Sequence, residues 1–366
     1  MMKMKRVLRA GAAVLALSSL AGLAMADCTF IDGTSPMVRT MPLLGGNITV
    51  GRDVPLGTEV YRQTFSPVTG VKIRCSAGLY NIETSRGLPV LPRSLSGWLG
   101  TPWGGHVYES GVPGIGVAIW YSGTPLPFSG NGTNCGGGTA DCIWSVQGTM
   151  AFDLSLIKIG DVSPGTVEGS QLPTVDQKWV TSNTLDVSRV NFSGSMNVVS
   201  RTCDTPDVAV PMGTHMTHEF SGLNSATPWK DFVISLNNCP AFHGTHRGGG
   251  PSWRSDGTVA TRTPNANVLM LRLDATRPAL NPTLGILSLN PSAPGDAVAA
   301  TGVGVQVADR VGTPLPLATL RPSGIVPSAV EGRSYDIALR ARYIQTASSV
   351  TAGPANASAV FTINYQ

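Results

Sequence analysis

After residue 26, no stretch of ten or more residues spaces its apolar side chains as an amphipathic helix would; the chain is a succession of short apolar runs separated by glycine and proline. The runs include GIGVAIWYS (114–122), GTMAFDLSLIKIG (148–160), KDFVISLNNC (230–239), NVLMLRLD (267–274), GVGVQVAD (302–309) and SYDIALRARYIQT (334–346). Several alternate with period two. In YDIALRARY, Tyr335, Ile337, Leu339, Ala341 and Tyr343 fall on one side, and Asp336, Arg340 and Arg342 on the other, the mark of a half-buried strand. The 43 glycines and 27 prolines are spread as punctuation, so they mark turns and not low-complexity tracts. This pattern specifies an all-β class, and 366 residues suffice for two β-sandwich domains.

Lys3, Lys5, Arg6 and Arg9 precede an apolar run at 10–23 and the small-residue sequence AMA at 24–26, so residues 1–26 are expected to be a signal peptide. The run is shorter than the roughly 20 residues that span a bilayer. Its removal takes four of the 26 basic residues and none of the 22 acidic ones, leaving 22 of each. The overall charge of +4 therefore gives no reason to expect nucleic acid as a partner. Charged residues make up 13% of the chain, so recognition has to rest on polar, aromatic and backbone contacts.

Six cysteines in an exported chain favour disulfides over metal binding or catalysis. Cys28, Cys75, Cys135 and Cys142 precede residue 150, whereas Cys203 and Cys239 follow residue 200. The expected pairing is Cys203 with Cys239, Cys28 with Cys75 and Cys135 with Cys142, although spacing leaves the connectivity of the first four open. A Cys203–Cys239 bridge would stabilise by roughly 3 to 4 kcal/mol through loop-closure entropy. Cys135 and Cys142 bracket GGGTAD, which reads as a pinched loop.

A domain boundary is expected near 198–201, dividing the chain into 27–197 and 198–366 with no Pro- or Gly-rich linker, so the two units should sit close together. In ASAVFTINY (357–365), Ala359, Phe361, Ile363 and Tyr365 share one face and Ser358, Thr362 and Asn364 the other. Two readings are open. This is the last strand of a closed sandwich, or it borders an apolar groove that a strand from another chain fills.

The residues from 198 onward resemble the pilin domains of chaperone–usher fimbriae, several elements occurring in the family order. SRTCDTPDVAVPMG (200–213) resembles the first strand with its cysteine, and FVISLNNC the second strand ending in the disulfide partner. GVGVQVADRVGTPLPL resembles the core strand and its turn. The stretch from Tyr335 to Gln366, with Gly353 and the penultimate Tyr365, resembles the closing hairpin. The resemblance implies an incomplete immunoglobulin-like fold whose missing strand comes first from a periplasmic pilus chaperone and then, by donor-strand exchange, from an adjacent pilus subunit. It implies chaperone and donor-strand contacts at Gly353, Phe361, Ile363, Tyr365 and Gln366, with the Gln366 carboxylate held by basic residues of the chaperone.

Segments 48–63, 107–121 and 152–167 resemble, more loosely, the first domain of fimbrial adhesins. Together these likenesses imply a two-domain tip adhesin that passes an outer-membrane usher, is displayed at the fimbrium tip on the cell surface, and binds a surface glycan or glycoprotein. Cys28 leaves almost no length for a donor segment of its own. A structural or initiator subunit without receptor binding is the alternative, followed by an exported β-sandwich glycan hydrolase.

Trp98 and Trp103, set among glycines in SGWLGTPWGGHVYESG, are candidate platforms for a sugar ring, and His106, Tyr108, Asn131 and Asn134 could add hydrogen bonds at the same rim. Trp120 and Trp144 lie in apolar runs and read as core or loop anchors. No nucleophile elbow, zinc-protease helix or phosphate loop occurs, so no catalytic residue, cofactor or metal is expected. His215/His218 and His243/His246 have metal-like spacing, but residues three apart on a strand face opposite ways, and solvated loop positions are the expected account.

Overall fold

The computed structural model describes residues 27–366, so the signal-peptide expectation at 1–26 lies outside the described residues. Among the described residues the regular elements are β-strands and single-turn 3-10 helices, with no α-helix. Each apolar run becomes a strand: Ile115–Tyr121, Phe152–Lys158, Lys230–Cys239, Leu269–Ala275, Val303–Asp309 and Arg333–Gln345. Their side chains alternate in burial wherever one sheet face meets solvent, as in Arg333–Gln345, where Ile337, Leu339, Ala341 and Tyr343 are buried.

The earlier half is built on two larger sheets. One orders Phe128–Asn134, Asn81–Val90, Thr174–Val180, Thr184–Ser193 and Met37–Pro42. The other has Glu59–Ser66, Phe152–Lys158 and Ile115–Tyr121 at its centre. Side chains including Tyr61, Phe65, Ile82, Leu154, Val190 and Phe192 form the core they share. Disulfides join Cys28 to Cys75 and Cys135 to Cys142.

The later half has its own core between a four-stranded sheet (Lys230–Cys239, Arg333–Gln345, Val303–Asp309, Ile286–Leu287) and a three-stranded one (Arg321–Pro322, Leu269–Ala275, Ala359–Tyr365). Cys203 and Cys239 are bonded. The stretch 200–213, which resembles a first strand, is not one here. It holds a single bridge, Asp204 to Asn237, because Pro206 and Pro211 supply no backbone donor and interrupt any ladder.

One segment crosses between the halves. Ser252–Arg254 lies parallel to Glu59–Ser66, pairing Trp253 with Phe65, and Val259–Ala260 extends the same sheet outward. Trp253 is buried in the earlier core, its ring stacked on Phe65 at 5.8 Å. The docking runs the length of the edge strand: His246 N–H donates to the Val60 carbonyl (3.0 Å), Thr64 N–H to Pro251 (3.1 Å) and Ser255 N–H to Ser66 (3.0 Å). Gly250 lies so close to that strand that a Cβ there would stand 1.8 Å from the Arg62 carbonyl oxygen. An open edge would otherwise expose a row of unpaired amides. His246, expected in a solvated loop, is instead buried edge-on to Tyr61 with ring centroids 5.8 Å apart. Among the described residues no group of three or more His, Cys, Asp or Glu side chains is placed to hold a metal.

Candidate functional site

Ala359–Tyr365 pairs on one side with Leu269–Ala275, Leu271 opposite Ile363 and Leu273 opposite Phe361. Just beyond the strand, Gln366 and Val268 exchange both backbone hydrogen bonds (3.0 and 2.7 Å). In an antiparallel ladder such pairs alternate, so the amides and carbonyls of Ala359, Phe361, Ile363 and Tyr365 point to the opposite edge. There, among the described residues, no strand adjoins them. Tyr365 alone is taken: its N–H donates to Asp53 Oδ2 (2.9 Å) and its carbonyl accepts from Asp53 N–H (3.3 Å). The earlier half therefore caps one end of an otherwise open strand edge.

Beside that edge runs a groove of about 560 Å³ between the two sheets of the later half. Its floor is the period-two apolar set: Ile234, Leu273, Val305, Val307 and Tyr343, with Phe361 on the rim strand. Phe361 and Ala359 are half-buried, whereas Ile363 and Tyr365 toward the capped end are buried. Burial raises the pKa of the Tyr343 and Tyr365 phenols, which stay neutral, and each is engaged: Tyr343 Oη donates to Ala355 (2.9 Å) and Tyr365 Oη accepts from Cys203 N–H (3.1 Å). The groove thus has an apolar floor and unpaired backbone at its edge, a geometry suited to an added extended strand. Gly353 lies outside it. Its φ is +158°, and a Cβ would meet the Val298 carbonyl oxygen at 2.2 Å, so this glycine permits a close backbone approach in the closing hairpin. Gln366 is exposed, and its backbone N–H and carbonyl are already engaged by Val268.

The six residues named for a receptor rim fall in two places, Trp98, Trp103, His106 and Tyr108 in one and Asn131 and Asn134 in the other. Trp98 is half-buried with its indole N–H donating to the Pro102 carbonyl (3.0 Å), and Trp103 stacks on Trp120 at 5.3 Å. Both pack over Val107, Ala118 and Ile157, which is an anchoring role. Tyr108 is buried, and His106 is half-buried with its backbone N–H on Trp103. Asn131 and Asn134 lie on Phe128–Asn134, in the other sheet.

Asn131 instead borders a second groove, of about 680 Å³, that no sequence motif announces. Arg86 and Thr84 come from Asn81–Val90, Tyr121 from the end of Ile115–Tyr121, Phe128 from the adjoining strand, Trp144 and Ser145 from Cys142–Val146, and Trp179 from Thr174–Val180. Gln147 and Thr149 close one side. The Arg86 guanidinium sits 4.1 Å from the Tyr121 ring centroid and 5.3 Å from that of Phe128. Its Nε and Nη2 donate to the Thr149 carbonyl (3.4 and 3.1 Å). Burial lowers its pKa, with Tyr121 opposing that shift, yet a guanidinium keeps its charge at neutral pH. Trp144 and Trp179 meet edge to face at 6.4 Å. The sequence scattered these residues over five strands, and only the abundance of aromatics in the earlier half hinted at them.

The sequence model of the fimbrial protein family matches residues 190–366. A type-1 fimbrial protein subunit of Serratia marcescens is 31% identical over 185 residues, spanning 48% of this chain and 86% of that protein. The type-1 fimbrial protein A chain of Escherichia coli is 30% identical over 190 residues, spanning 51% and 86%. Among solved structures, an antigen and type I fimbria protein of Burkholderia pseudomallei is 26% identical with a TM-score of 0.26, covering 45% of this chain and 90% of its own. A tip adhesin from Pseudomonas aeruginosa is 17% identical with a TM-score of 0.33, covering 93% and 95%.

Proposed function

The chain belongs to the fimbrial protein family, and from that premise we propose that it is a tip adhesin of a chaperone–usher fimbrium, organised as a receptor-binding domain (27–197) and a pilin domain (198–366) that accepts a donor strand. The observation that carries the reading is the open edge at Ala359, Phe361 and Ile363 beside the apolar groove. A strand laid there satisfies the free amides and covers the half-buried Ala359 and Phe361, so a single partner removes both the unpaired edge and the apolar surface left beside it. A periplasmic chaperone supplies that strand before assembly, and an adjacent subunit supplies it in the fimbrium. The core built from residues 28–198, completed by Trp253, belongs to the part available for a receptor.

Co-expression with a periplasmic pilus chaperone tests strand acceptance. The full chain is expected to be captured, and a chain ending at Ala357 to be lost from the complex. Hydrogen exchange then locates the contact: the amides of Phe361 and Ile363 should become protected on capture, while that of Thr362, which faces Leu269–Ala275, changes little. A full chain that stays soluble and monomeric without a chaperone, with those amides already protected, overturns the reading.

A further inference from the structure

We propose that the groove around Arg86 is the receptor site, and that its ligand is an acidic saccharide, a pyranose bearing a carboxylate; this rests on the receptor-binding reading above. The walls are flat aromatic surface: Tyr121, Phe128 and Trp144 are all half-buried and so present part of their rings to the groove. Such surface suits the apolar face of a sugar ring, since it buries C–H groups without demanding hydrogen bonds. Between the rings stand groups that do hydrogen-bond, the side chains of Thr84, Asn131, Ser145, Gln147 and Thr149, in keeping with a hydroxyl-rich ligand.

The charge decides the class of sugar. Among the described residues lining the groove, Arg86 is the only ionised one and none is a carboxylate. Two rings and the Thr149 carbonyl hold the guanidinium in place, so it needs little further ordering to bind. Among the described residues Nη1 has no protein acceptor, and it remains available to a carboxylate. A neutral sugar would leave that donor unmatched, whereas an acidic one matches it with a charge-assisted bond. The volume falls within the range of small-ligand sites.

The test titrates the full chain with D-glucuronate, with D-glucose as the same ring lacking the carboxylate, and with acetate as the carboxylate lacking the ring. Binding is read by tryptophan fluorescence, since Trp144 and Trp179 line the site, and by calorimetry. Glucuronate is expected to bind roughly tenfold more tightly than glucose, the difference expected for one charge-assisted bond, and acetate to compete only weakly. Arg86→Gln should bring the two sugars to parity, and Trp144→Ala should weaken both. Arg86 also packs on Tyr121 and Phe128, so a second variant avoids the core: Ser145 is exposed on the wall, and Ser145→Trp should fill the groove and abolish binding while leaving the melting temperature unchanged. Equal affinity for glucuronate and glucose, acetate competing as well as glucuronate, or full affinity in Ser145→Trp would each overturn the proposal. Chaperone capture, measured on the same preparation, reports on the other half of the molecule. Capture without sugar binding sinks this site and leaves strand acceptance standing; sugar binding without capture does the reverse.

Discussion

Individual contacts at the junction show how few atoms tie the open strand edge to the earlier half. Gly51 sits against the end of the terminal strand, where a Cβ would lie 2.1 Å from the Tyr365 carbonyl oxygen, in contact with backbone that has no rotamer to yield. Gly51→Ala should therefore cost about 1–3 kcal/mol, the usual penalty of overpacking, measured as a shift in urea midpoint. Tyr365 Oη is the acceptor for the buried Cys203 N–H, so Tyr365→Phe keeps the ring and orphans the donor, at about 1–3 kcal/mol by the same measurement. His246 makes the junction sensitive to acid. Burial lowers its pKa below the ordinary value, so the folded state favours the neutral ring while the unfolded chain takes up a proton at about 6.5. The unfolded state then binds more protons as pH falls, and the stabilisation present above that value is lost below it. The urea midpoint should drop between about pH 7.5 and pH 5.5, and His246→Gln should remove that part of the slope.

Strands were the most legible level of the sequence, and the reason is physical. Lys230–Cys239 and Arg333–Gln345 carry a clean period-two pattern because one face of each meets a core and the other meets solvent, so propensity and burial point the same way. The 200–213 stretch misleads because its apolar valines suggest a strand while Pro206 and Pro211 remove the donors a ladder requires. Ser252–Arg254 was illegible: a three-residue strand has no period to read, and its partner is decided by a distant surface. The aromatic groove was illegible for the same reason, since Arg86, Tyr121, Phe128, Trp144 and Trp179 become neighbours only through sheet register. The short added strand is a strong anchor nonetheless. Trp253→Ala should destabilise by about 3–5 kcal/mol, as large aromatic truncations in cores do, read as loss of the first unfolding transition or a lowered melting temperature. A fragment covering 27–202 should aggregate through the uncovered Glu59–Ser66 edge, and a peptide spanning 244–262 added in trans should return it to a monomer on size exclusion. A monomeric fragment without the peptide would show that the edge needs no cover.

At the level of the whole molecule, the two cores are joined by the Ser252–Arg254 docking, by Thr49, whose backbone and hydroxyl bond to Ala241, His243, Gly244 and Asn267, and by the clasp between Asp53 and Tyr365. The clasp places the earlier half at the end of the accepting edge, where Asp53 occupies the backbone positions an incoming strand would otherwise reach. Under the donor-strand reading, pairing stops at Ile363. Asp53→Ala frees the Tyr365 N–H while the backbone N–H of residue 53 keeps the Tyr365 carbonyl, so the Tyr365 amide should exchange faster in the free chain and become protected when a donor peptide binds, as seen by hydrogen exchange. The docked segment also sets an order of events during synthesis. Glu59–Ser66 becomes an edge once Phe152–Lys158 has paired on its other side, and it then waits for Ser252; at roughly 5–20 residues per second that interval is on the order of 5 to 20 seconds. For that time the emerging chain holds a finished edge strand with nothing on its outer side, so the hazard to this protein falls during its birth, before the groove it carries to a partner exists at all.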